Sequence, residues 1–74
     1  MKAISILVFK TNIRFKKDLK IIEPCLSAFQ SVLRWNIDWK DADRVLRIES
    51  VSGNTLEIIN TINKAGYHCE ELPD

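Results

Sequence analysis

Cys25, His68 and Cys69 are the only soft metal ligands in this chain apart from Met1. Thiolate and imidazole suit Cu(I) and Zn(II), but a stable centre needs three or four converging donors. The two cysteines lie 44 residues apart, which makes neither a short metal-type spacing nor a disulfide framework. His68 and Cys69 are sequence neighbours, and neighbours on an extended strand point to opposite faces. One such pair is too few for a monomer, although a dimer would double the count. His68 and Cys69 therefore stand as the alternative metal ligands. Cys25 falls within an apolar stripe and reads as a small hydrophobe.

Acid–base chemistry has less to work with. There is one histidine and no converging acid–base cluster, so the chain reads as non-enzymatic. Asp38, Asp41 and Asp43 crowd one polar stretch, where carboxylates serve turns and solubility. The cations are more suggestive. Residues 1–20 carry Lys2, Lys10, Arg14, Lys16, Lys17 and Lys20 against Asp18 alone, in a chain whose overall net charge is only +1. A dense basic patch steers an acidic surface or an anion toward itself. Phe15 sits in its middle, and an exposed aromatic among cations has the makings of a binding hot spot. Lys10, Arg14, Phe15, Lys16, Lys17 and Lys20 are the candidate partner- or anion-binding residues. The expected arrangement nevertheless folds Phe15 back as an apolar plug beside Ile13, and the exposed hot spot is its rival.

The elements that must position these residues follow from periodicity. "AISILVF" (3–9) is short, β-branched and apolar on both faces, which predicts a central strand. Leu19, Ile22, Cys25, Leu26, Phe29 and Val32 recur at spacings of three and four, one stripe of an amphipathic helix that Asp18 caps and Pro24 kinks. "VLRWNIDW" (32–39) alternates, with Trp35, Ile37 and Trp39 on one face. "KDAD" is a turn, and "RVLRIES" (44–50) returns as the second arm of a hairpin. Asn54, with Glu57 three residues on, marks the start of a second helix whose stripe is Leu56, Ile59, Ile62 and Ala65, joined by Ile58. Gly66 ends that helix, "YHCEEL" (67–72) forms a last strand, and Pro73 terminates it.

The order β-α-β-β-α-β with right-handed crossovers places both helices on one face of a four-stranded antiparallel sheet, an α+β ferredoxin-like sandwich. All 74 residues make one domain. The expected core is Ile4, Ile6, Val8, Ile22, Leu26, Phe29, Trp35, Ile37, Leu46, Ile48, Leu56, Ile59 and Ile62, with Phe9 on the outer face. RNA-recognition modules share this order but stack bases on aromatics of the two central strands. "RVLRIES" offers none, so no nucleic-acid partner is expected. The first apolar run, Ile4 to Phe9, is too short for a signal peptide core or a membrane span. The chain reads as cytoplasmic, with reduced thiols and no membrane partner.

"SVLRWNID" and "INKAGYHCEEL" are similar to two signatures of the heavy-metal-associated domains, the copper-chaperone-like family. The first resembles the family's lead into its second strand, the second its closing helix-alanine-glycine-tyrosine-strand. The resemblance spans nearly the whole chain. It implies a metal loop of the form G-M-x-C-x-x-C, which falls on Asn12, Ile13, Arg14, Phe15, Lys16, Lys17 and Asp18. Ile13 can replace the buried methionine, and Tyr67 matches a family tyrosine that lies close to the metal loop, which the resemblance makes a second neighbour for a folded-back Phe15. Phe15 has no lone pair to offer a metal, and Asp18 offers a hard oxygen poorly matched to Cu(I). The resulting expectation is a carrier fold without loop ligands and without a cofactor. It serves as a binding module for a protein partner or for self-association. The alternatives are a carrier that uses His68 and Cys69, and a sensor of small molecules or anions.

Overall fold

The computed structural model describes residues 3–72, so Pro73 and its expected role as terminator lie outside the described residues. Four strands, β1 (Ser5–Thr11), β2 (Val32–Asp38), β3 (Val45–Ser50) and β4 (Cys69–Glu71), form one sheet in the order β2-β3-β1-β4. All three pairings are antiparallel. Helices α1 (Leu19–Ser27) and α2 (Thr55–Lys64) make the two crossovers. This is the ferredoxin-like sandwich that the element order implies.

The core lies between the sheet and the helices. Ile22 and Leu26 from α1, Ile58 and Ile62 from α2, and Phe9, Leu46 and Ile48 from the central strands are fully buried, with Ile13 beside them. In β1 the alternation runs opposite to expectation. Leu7 and Phe9 face the helices, whereas Ile4 and Ile6 are more than half exposed and Val8 is half-buried. The run is apolar at every position, so its own sequence carries no phase. The register settles it by setting Leu7 against Ile48 and Phe9 against Leu46. Leu56 is also a correction: it is 74% exposed in the first turn of α2, and Ile58 fills the interior position instead. Phe29, Trp35 and Ile59 pack on the core from its margin, only half-buried.

Element ends depart from periodicity where turns intervene. α1 stops at Ser27, and Phe29 and Val32 continue its stripe only in spacing, each donating an N–H to a carbonyl three residues back. Pro24 lies within α1. Arg44 was expected to open β3 but takes a left-handed φ of 46°. Its guanidinium reaches back to the carbonyl of Trp39 at 2.7 Å and holds that turn. At the other end of the chain, the close of α2 follows the sequence well. Gly66 has φ 101°, its N–H bonds the Asn63 carbonyl, and the Tyr67 N–H bonds the Ile62 carbonyl. That pair of bonds is the Schellman arrangement, which needs a residue free to adopt positive φ.

Candidate functional site

The segment from Asn12 to Asp18 joins β1 to α1, and its root is tied at three points. Thr11 is buried. Its hydroxyl donates to the Arg44 carbonyl at 2.7 Å and accepts the Ile13 N–H at 3.3 Å. The Asn12 side-chain oxygen accepts the His68 N–H at 2.8 Å, which joins the loop to the residue just before β4. Ile13 is fully buried beneath the loop.

The far end of the loop closes on Asp18. Lys16–Asp18 forms a single 3-10 turn ahead of α1. Asp18 Oδ2 accepts the Phe15 N–H at 3.2 Å, and Oδ1 accepts the Tyr67 hydroxyl at 3.0 Å. The expected cap on α1 is therefore absent, and the carboxylate instead bridges the loop to the residue after Gly66. Partial burial raises the Tyr67 phenol above its ordinary pKa of 10.0, and the Asp18 bond and charge, with Cys25 nearby, add to the rise.

Phe15 is 58% exposed, so it is not a plug. Its ring carries the Lys17 ammonium 5.3 Å from the centroid, a cation–π geometry. Arg14, Lys16 and Lys20 are exposed around the same segment. Lys10 stands apart on the outer face of β1, with its Nζ 3.7 Å from Asp43 Oδ1. Arg14 also borders an open cleft of about 500 Å3 with Thr11, Asn12, Ala42 and Arg44. Asp41 and Asp38 accept main-chain N–H groups of the hairpin turn, from Asp43 and Lys40.

The alternative ligands do not converge. Cys69 is buried on the helix side of β4, and burial, aided by Glu70, pushes its thiol up to about 12. His68 is exposed, with Nε2 2.9 Å from Glu70 Oε2. The Cys25 thiol donates to the Ile21 carbonyl at 3.3 Å. Among the described residues no three His, Cys, Asp or Glu side chains gather into a metal-sized group. The same residues contain no helix long and apolar enough to cross a membrane. The ties at Thr11, Asn12 and Arg44 were not legible in the sequence, because each joins segments tens of residues apart. The nearest signal was Tyr67, which the family signature places beside the loop.

No family model matches the sequence, and no curated protein matches it. Solved structures do. The N-terminal domain of ZntA in its apo form superposes with a TM-score of 0.83 at 12% identity, covering 96% of each chain. The yeast copper transporter domain Ccc2a, solved in apo and Cu(I)-loaded states, gives 0.77 at 17% identity over 93% of this chain and 96% of that one. Oxidized MerP from Ralstonia metallidurans CH34 gives 0.76 at 9% identity over 96% and 100%. Identities this low carry the fold and not the chemistry. What this chain shares with these three domains is the fold, the ferredoxin-like sandwich.

Proposed function

We propose that the chain is a non-enzymatic binding module in which the former metal loop has become a protein-docking loop. The observation that carries this reading is the exposed Phe15 ring seated among Arg14, Lys16 and Lys17. An apolar ring held out of the core loses hydrophobic stabilisation that burial would supply, roughly 1.5–3 kcal/mol for a side chain of this class. A partner that covers it recovers that term, and the surrounding cations select an acidic partner and speed its approach. The loop's own ties, through Asn12 and Asp18, hold the ring in place without a metal.

A suitable probe is a Glu/Asp-rich peptide carrying one leucine, titrated while amide shifts are followed. Shifts at residues 14–20 that weaken with salt and vanish in Phe15→Ala are the expected result. Unchanged binding in Phe15→Ala, or shifts scattered over the whole surface, would remove the loop as the docking site.

A further inference from the structure

Strand β2 is an edge of the sheet, and only one side of its main chain is bonded. The ladder shows which residues face outward. The Leu72 N–H donates to the Val8 carbonyl at 2.9 Å, so Val8 bonds toward β4. Leu7 and Phe9 then bond toward β3, opposite Ile48 and Leu46. Those two face β1, which leaves Arg47 and Val45 to bond Asn36 and Asp38 of β2. By the same alternation, the N–H and C=O groups of Trp35 and Ile37 point away from the sheet. From Arg34 to Asp38 this edge has no proline and no lysine, and its one irregularity, between Val32 and Arg34, lies at the start. Edges of this kind are templates for another strand.

We infer that the β2 edge pairs with the β2 edge of a second copy of this chain, antiparallel about a two-fold axis at Asn36. Charge selects that axis. Centred on Asn36, Arg34 faces the partner's Asp38, and the symmetry repeats the match. Centred on Trp35, Arg34 would face Asn36 and Asp38 would face Val32, with no charge paired. The Asn36 axis also sets Trp35 against the partner's Ile37, the residues whose main-chain groups point outward. Arg34 and Asp38 then form non-hydrogen-bonded pairs, where opposed side chains come closest.

Both charged groups have capacity left. Arg34 is exposed and uses Nε on Glu49 Oε2 at 3.1 Å, which leaves its terminal nitrogens free for a carboxylate. Asp38 commits Oδ1 to the Lys40 N–H, which leaves Oδ2. The joined sheet has eight strands, and the half-buried Trp35 gains cover from the partner's Ile37. This surface is separate from the Phe15 loop and does not rest on the docking reading.

Sedimentation equilibrium over roughly 10 µM to 1 mM, the range of weak association, tests the pairing. Wild type should shift from monomer to dimer, and Arg34→Asp and Asp38→Arg should each remain monomeric. Mixed in equal amounts, the two variants should recover a dimer, because one brings two acids opposite two arginines. Glu57→Arg, on α2, makes the same charge change elsewhere and should dimerise as wild type does. Amide exchange on wild type provides a reading independent of the variants' folding: Trp35 and Ile37 should gain protection with concentration. A wild type that stays monomeric overturns the inference. So does a folded variant mixture without a dimer, or equal loss in Glu57→Arg.

Discussion

Asp18 shows how much one side chain changes when its neighbours are seen. In sequence it reads as a helix cap, and in the family pattern it stands where a cysteine would be. In the fold it accepts the Phe15 N–H and the Tyr67 hydroxyl, and so links positions 49 residues apart. Two hydrogen bonds to one carboxylate restrain the loop much as a bound ion would, without needing one. Asp18→Ala removes both bonds and should cost about 1–3 kcal/mol. Calorimetry should show that as a fall in Tm, since about 1 kcal/mol moves a domain of this size by roughly 4–8 °C. Asp18→Asn keeps an acceptor and should fall between. An unchanged Tm in Asp18→Ala would mean that the loop is held by Thr11 and Asn12 alone. The Asp18–Tyr67 bond was only half legible. The family signature placed Tyr67 near the loop, but which loop residue it meets depends on three-dimensional placement.

At the scale of elements, legibility followed the information each segment carries. "VLRWNIDW" alternates, and its expected inward residue Ile37 is buried. Gly66 marked the end of α2 because few residues adopt its φ at low cost. "AISILVF" announced a strand but not its phase, since either face would be apolar. Asn54 was legible as a helix start, yet its side chain makes no cap bond and its Oδ1 is buried without a hydrogen-bond partner. The β1 phase has a direct test. Phe9→Ala should cost about 3–5 kcal/mol, the usual penalty for emptying a buried aromatic site. Ile6→Ala, on the outer face, should cost far less, and equal losses in chemical denaturation would contradict the register of β1 against β3.

At the scale of the whole molecule, element order allowed few topologies, and right-handed crossovers left the ferredoxin-like sandwich. Function was less legible because this scaffold serves unrelated tasks, and sites are made by the side chains it carries. A docking loop of the kind proposed is expected to hold no cation. Arg14, Lys16 and Lys17 surround the loop with positive charge, and none of its residues is a soft ligand. A cysteine binds a metal as its thiolate, but Cys69 is buried with its thiol pushed up to about 12, and His68, exposed beside Glu70, is a single imidazole donor. Competition against a Cu(I) chelator near neutral pH should leave no one-to-one complex on the protein. Weak residual binding should disappear in Cys25→Ser, the remaining thiol, which is half-buried. A tight complex lost in Asp18→Ala would restore the carrier role to the loop. One lost only in His68→Ala or Cys69→Ala would place a carrier site on β4 and the residue before it, and would require the Cys69 side chain to leave the core to reach the metal.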